Sequence, residues 1–114
     1  MSNNNLIKGS LQTIILKLLE DNERMYGYEI TQKVKEMTEG EIKITEGALY
    51  PALHKLEAEG MLTTEIEQVD NRVRKYYSLT KEGQKEVSSK MAELHGFVNN
   101  LQRLLNPEWK PGLG

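Results

Sequence analysis

Two stretches of this sequence carry side chains that suit binding to a polyanion. Arg72, Arg74 and Lys75 place three cations within four residues, close to Asp70, and this density of charge suits a protruding tip that contacts phosphates. A second stretch begins at Thr45 and has a polar face whose short residues would let the backbone approach base edges. The candidate contact residues of that face are Thr45, Glu46, Gly47, Tyr50, Pro51, His54 and Lys55.

Each stretch also has a plainer interpretation. Any amphipathic helix turns a polar face to solvent, and Glu46 opposes phosphate binding unless it reads a cytosine amino group or stays in solvent. A basic edge strand can serve only to prevent aggregation. Tyr76 and Tyr77 flank the basic run, and because strand side chains alternate, we expect one in the core and the other exposed.

Composition excludes several other kinds of site. The chain has 114 residues, a length typical of one domain, and no cysteine, which leaves no disulfide and no thiolate metal ligand. His54 and His95 are far apart in the sequence and form no metal-ligand spacing. The sequence also lacks a phosphate-cradling glycine loop and a nucleophile–base arrangement. We therefore predict no enzyme, no metal and no cofactor.

Charge and hydropathy limit where the protein can act and what it can bind. The net charge is -2, from 15 Lys and Arg against 17 Asp and Glu, so indiscriminate coating of nucleic acid is not expected. The start of the chain does not have the pattern of a signal peptide. Its apolar runs are far shorter than the ~20 residues that span a bilayer, so we expect a cytoplasmic protein without a membrane partner.

Hydrophobic periodicity predicts two helices before the polar face. The first runs from about Gly9 to Asp21, with Ser10 as its N-cap. The second follows Gly27 and ends at Gly40, where apolar residues stop recurring at helical spacing. A polar break separates these two helices.

The polar face itself lies on a third predicted helix. Ile42–Ile44 precedes it and alternates like a short extended stretch. Thr45 caps the helix and Gly60 ends it, while Pro51 removes one backbone donor, so that a small kink or a short first turn is expected.

A hairpin and a long helix follow. Apolar and polar residues alternate from Leu62 to Glu67 and again from Val73 to Leu79, around the turn signal Asp70–Asn71. The last helix runs from near Thr80 to about Leu105 and carries a heptad repeat. The repeat consists of Val87, Met91, Leu94, Val98, Leu101 and Leu105.

The heptad stripe needs a covering surface. The chain's own first helix could cover its early part, but a helix of about 25 residues reaches roughly 38 Å, about the width of the whole domain. We therefore expect partner helices and a two-fold homodimer, which would set two reading helices about one DNA turn, or a multiple, apart.

The order of elements predicts a fold class. Three helices, a hairpin and a long helix make a mainly α protein with a small β-hairpin, namely a winged helix-turn-helix domain plus one long C-terminal dimerisation helix. We predict the DNA-binding domain over residues 1–80, the dimerisation helix over 81–106 and a flexible tail over 107–114.

Three longer segments resemble the PadR family of bacterial transcriptional regulators. They are Tyr26–Ile30, Thr45–Gly60 and Arg74–Gly83, and the resemblance extends from about Leu6 to Leu105. The single short C-terminal helix is similar to that of the small subfamily.

The resemblance implies a homodimeric repressor that binds a palindromic operator. It also implies that the helix after the wing swaps across the dimer onto the partner's N-terminal helix. The outer face from Thr45 to Lys55 matches the recognition helix, the basic run matches the wing, and Tyr28 matches the stretch that approaches the DNA backbone. The expected dimer interface comprises Leu11, Ile15, Val87, Met91, Leu94, Val98, Leu101 and Leu105.

Two positions depart from the family pattern. The wing turn is Asp70–Asn71, where members of the family are often glycine-rich. Leu94 stands where drug-binding members have a tryptophan that stacks on flat aromatic ligands, and the only tryptophan here is Trp109. An effector at the dimer interface would then be a different small apolar or phenolic molecule.

The sequence therefore predicts a sequence-specific DNA-binding transcriptional regulator. The alternative is a winged-helix module that binds proteins and not DNA, which the acidic total keeps open. A salt series separates the two, because phosphate contacts weaken steeply as salt rises.

Overall fold

The computed structural model describes residues 4–110. Its elements, in chain order, are α1 (Asn4–Ile7), a 3-10 turn (Lys8–Ser10), α2 (Leu11–Asp21), β1 (Met25–Tyr26), α3 (Gly27–Met37), α4 (Glu46–Ala58), β2 (Leu62–Val69), β3 (Arg72–Leu79) and α5 (Lys81–Leu105). This order confirms the predicted class, a winged helix-turn-helix followed by a long C-terminal helix.

The N-terminal helical segment begins earlier than predicted. α1 and the 3-10 turn precede α2, so Ser10 lies within a continuous helical path. Its side chain makes no cap to α2, since the hydroxyl instead donates to the Ile7 carbonyl oxygen at 3.0 Å. Ser10 therefore stands at the predicted N-cap position of α2, but its side chain does not cap the helix.

α3 and the connection after it position α4, the helix that carries the polar face and is called the reading helix below. The Glu29 carboxylate accepts a hydrogen bond from the Tyr26 N–H at 3.1 Å at the start of α3. Gly40 has a φ of 81° and its N–H donates to the Lys35 carbonyl at 2.7 Å, so the chain turns there as predicted. Residues 42–44 form no strand, which corrects the predicted extended stretch; Ile44 is instead buried in the core.

α4 begins and ends as the sequence predicts. The Thr45 hydroxyl accepts a hydrogen bond from the Ala48 N–H at 3.2 Å, and Gly60, with a φ of 80°, follows the last turn. The helix runs through Pro51, and its first turn closes with the Leu49 N–H on the Thr45 carbonyl at 2.9 Å. The first turn is therefore not shortened.

The wing is a three-stranded antiparallel sheet in the order β1-β3-β2. β2 and β3 pair from Leu62 with Leu79 to Val69 with Arg72. Asp70 and Asn71 have φ values of 49° and 63°, and two consecutive positive values make the tight turn whose twist matches a two-residue hairpin. The short strand β1, which pairs Tyr26 with Tyr76, was not predicted.

The core joins all these elements into one body. Tyr77 is 1% exposed, which confirms that one tyrosine of the pair lies in the core. Tyr76 is half-buried and not exposed as expected, since the Arg24 guanidinium lies over its ring. α5 packs its first half on α2, and its Gly83 lies against the Met61 carbonyl so closely that a side chain would not fit. None of the described helices is long and apolar enough to cross a membrane.

Candidate DNA interface

The outer face of α4 is open to solvent. Thr45, Glu46 and Gly47 are exposed at its start, and Pro51, His54 and Lys55 continue the same surface. A Cβ built on Gly47 would meet only the Thr45 hydroxyl oxygen, at 3.9 Å. The helix N-terminus and its first turn are therefore accessible to a phosphate or a base edge.

Tyr50 connects this face to the start of α3. Its side chain is half-buried, and its hydroxyl oxygen lies 2.5 Å from where a Cβ on Gly27 would stand. Only glycine leaves room for the Tyr50 ring in this position. The Tyr50 ring centroid lies 6.5 Å from that of His54.

Tyr28, on the neighbouring helix α3, is 61% exposed.

The three wing cations have different surroundings. Strand register puts Arg72 and Arg74 on one face of the hairpin and Lys75 on the other. The Lys75 ammonium lies 3.7 Å from the Glu57 carboxylate of α4, and the Arg74 guanidinium lies over the Tyr26 ring at 4.4 Å. Among the ion pairs of residues 4–110, none involves Arg72 or Lys55.

Arg24, which was not among the predicted site residues, reaches across the wing. One terminal nitrogen of Arg24 donates to the carboxylates of Glu65 at 2.8 Å and Glu67 at 2.6 Å. Its guanidinium also lies 3.9 Å from the centre of the Tyr76 ring. Arg24 could not be found from local sequence, because its neighbours follow from pairing between distant strands.

The protonation of this group is fixed by its contacts. The hydrogen bond from Arg24 lowers the pKa of Glu67, and the hydrogen bonds to Glu67 and Glu65 raise the pKa of Arg24. The hydrogen bond with Tyr76 raises the pKa of Arg74. Arg24, Glu67 and Arg74 therefore stay charged at neutral pH.

The predicted dimer residues divide into two sets. Leu11, Ile15 and Val87 are at most 1% exposed, since α2 and α5 of the same chain bury them. Their assignment to the dimer contact stays a prediction. Met91 and Leu94 are half-buried.

The distal half of α5 is uncovered. Val98 and Leu101 are 43% and 40% exposed, and Leu105 is 76% exposed. Phe97 and Leu104, which the heptad repeat did not include, are also exposed. This half of the helix forms a continuous apolar surface.

An apolar cavity of about 270 Å³ lies between α2, α3 and α5. Its wall includes Ile14, Val34, Met37 and Leu94. A small apolar molecule fits the chemistry of this wall. No group of three or more potential metal ligands occurs within the part of the chain that the structure describes.

A reading helix with an open polar face beside a basic-tipped hairpin defines a winged-helix DNA-binding regulator. The sequence profile described as "Transcriptional regulator PadR-like family" matches residues 15–89, and the chain belongs to this family. That membership confirms the predicted family and the prediction of a regulator.

Individual relatives agree over most of the chain. A transcriptional regulator from Clostridium thermocellum has a similar structure, with a TM-score of 0.76 and 31% identity over 93% of this chain and 99% of that one. Transcriptional regulator Rv3488 of Mycobacterium tuberculosis is 37% identical over 76 residues, which cover 67% of each chain. Bacillus subtilis PadR in complex with operator DNA matches with a TM-score of 0.63 and 32% identity, over 71% of this chain and 46% of that one.

Proposed function

We propose that this protein is a homodimeric repressor that binds a palindromic operator. The observation that carries the proposal is the exposed face of α4 from Thr45 to Lys55, next to a wing whose tip presents Arg72. In this proposal α4 enters the major groove and the wing contacts the flanking phosphates. Tyr28, exposed at the start of α3, contacts the backbone.

Within α4, base reading and phosphate binding fall to different side chains. His54 and Tyr50 offer ring and hydroxyl groups to base edges, while Lys55 offers charge to a phosphate. Glu46 lies at the exposed helix start and accepts from a cytosine amino group or remains solvated. Gly47 and Pro51 keep this surface low enough for close approach.

A second copy of the chain is the proposed partner of distal α5. Soluble proteins rarely leave a continuous apolar stripe of this kind in water. Pairing through Val98, Leu101 and Leu105, together with Phe97 and Leu104, covers it and joins two reading helices. The division into a DNA-binding domain (1–80), a dimerisation helix (81–106) and a tail (107–114) follows from this proposal; residues 111–114 lie outside the described residues.

Release from DNA by a small apolar or phenolic effector completes the proposal. Met91 and Leu94 line the apolar cavity and lie just before the uncovered part of α5. A molecule bound there would change operator affinity only if it favoured one arrangement of the two reading helices over the other. We propose the cytoplasm as the place of action.

Sequence preference and overall affinity provide the test. His54→Ala is expected to change the preferred sequence, whereas Arg74→Ala with Lys75→Ala is expected to weaken binding to all duplexes alike. Competition binding with a randomised duplex pool measures both. If neither variant changes binding to DNA, the competing assignment, a protein-binding winged helix, replaces this one.

A further inference from the structure

Arg24 spans the whole width of the wing sheet. It precedes β1 at one edge, passes over the Tyr76 ring of the middle strand β3, and ends on Glu65 and Glu67 of the outer strand β2. We call this side chain with its two carboxylates the wing strap. The strap links β2, the outer strand of the hairpin, to the segment that precedes β1 at the opposite edge of the sheet.

The strap continues into a stack that includes a wing cation. The Tyr76 ring meets the Tyr26 ring edge to face, with centroids 5.5 Å apart, and the Arg74 guanidinium lies on the other ring at 4.4 Å. The two rings therefore contact each other on one face of the sheet, with one arginine over each ring. Cation–ring contacts of this kind restrict the rotamers of the arginines.

The same face carries opposite charges that a DNA phosphate would meet together. Glu65 pairs with Tyr76, Glu67 with Arg74, and Val69 with Arg72, so the two carboxylates share a face with the two arginines. A bare carboxylate beside a phosphate site repels the phosphate. The strap places a guanidinium between these two carboxylates.

We propose that Arg24 is a positioning residue for DNA binding. It masks the negative charge of Glu65 and Glu67 on the wing face that presents Arg72 and Arg74, and it holds the aromatic pair on which Arg74 rests. This inference rests on the proposed function, since it assigns Arg24 a role in the same interface. Arg24 itself does not contact the DNA.

The experiment compares charge variants of the strap. Fluorescence anisotropy is measured with a 30-base-pair duplex selected from a random pool by the wild-type protein, and with a shuffled duplex. The variants are Arg24→Gln, Glu65→Gln with Glu67→Gln, and all three together. Lys85→Gln removes a surface cation that is also paired, 3.7 Å from its carboxylate, and is the matched control.

Arg24→Gln is expected to weaken binding to both duplexes by about threefold to tenfold at 50 mM salt, with a smaller loss at 200 mM. Removing the two carboxylates in the same chain is expected to restore affinity to within about twofold of the wild type. Hydrogen exchange without DNA is expected to be faster in β2 of Arg24→Gln. Lys85→Gln is expected to change neither measurement.

Three results overturn the inference. Wild-type affinity in Arg24→Gln shows that the strap has no role in binding. A loss that persists after the carboxylates are removed shows that masking their charge is not what Arg24 contributes to binding. If the wild-type protein selects and binds no duplex, the proposed function fails first, and that failure is distinguished by the wild-type measurement alone.

Discussion

Replacing Arg72 by alanine is expected to reduce the salt dependence of DNA binding more than replacing Lys75. Arg72 is exposed beside the hairpin turn and belongs to none of the ion pairs found among residues 4–110. Lys75 lies 3.7 Å from the Glu57 carboxylate. Because Lys75 must break its ion pair with Glu57 before it binds a phosphate, its net contribution to DNA affinity is smaller.

The magnitude follows from counterion release. Each neutralised phosphate contributes about 0.9 to the slope of log K against log salt. A two-fold dimer presents Arg72 twice, so Arg72→Ala reduces the slope by about 1.8, and its affinity deficit shrinks about tenfold between 50 and 200 mM salt. An exposed pair such as Lys75–Glu57 contributes about 0.2–1 kcal/mol, which reduces the expected loss for Lys75→Ala by a factor of about 1.4 to 5 per subunit.

The assay is a salt series of anisotropy titrations on a duplex selected by the wild-type protein. Glu57→Gln is the informative control, because it releases Lys75 and is expected to raise both affinity and slope. An equal change of slope in Lys75→Ala and Arg72→Ala, or no effect of Glu57→Gln, would show that the Lys75–Glu57 pair does not limit phosphate binding by Lys75.

Substitutions also test the dimer contact, the packing of α5 and the strap. Leu101→Lys is expected to raise the dimer dissociation constant at least about tenfold, since Leu101 is 40% exposed and covering that fraction in two copies contributes about 0.8 kcal/mol each; sedimentation should show more monomer than in the wild type, with Gln102→Lys unchanged. Gly83→Ala forces a methyl group against a backbone carbonyl and is expected to lower the free energy of unfolding by about 1–3 kcal/mol in urea titrations. The pKa of Glu67 is lower in the folded chain, so its contribution to stability is present above its unfolded pKa and is lost as pH falls through the folded pKa. Urea unfolding of wild type and Arg24→Gln should therefore differ at pH 7 and converge in acid, and a difference independent of pH would contradict this.

Local chemistry made much of the fold predictable. Thr45 and Gly60 bracket α4 through contacts within one turn, and Asp70–Asn71 closes a hairpin whose strands alternate on either side. These signals act over a few residues, so the sequence carries them directly. The polar face of α4 followed from the same periodicity.

Features that depend on pairing between distant segments of the chain could not be predicted from the sequence. β1 exists because Met25 and Tyr26 meet Tyr77 and Tyr76 about 50 residues later, and Arg24 finds its carboxylates only through that sheet. The heptad repeat allowed the first helix to cover the early part of α5, but it did not show at which residue that cover ends. Val87 faces α2 of its own chain while Leu105 is 76% exposed, and only the folded structure distinguishes them.

In the proposed complex, two copies of α4 read one duplex with two-fold symmetry. Selection of bound sequences from a random duplex pool tests this arrangement. We predict an enriched inverted repeat whose half-sites are centred about one helical turn, or a multiple, apart. Enrichment of a single unrepeated site, or of no sequence at all, would contradict recognition by a two-fold dimer.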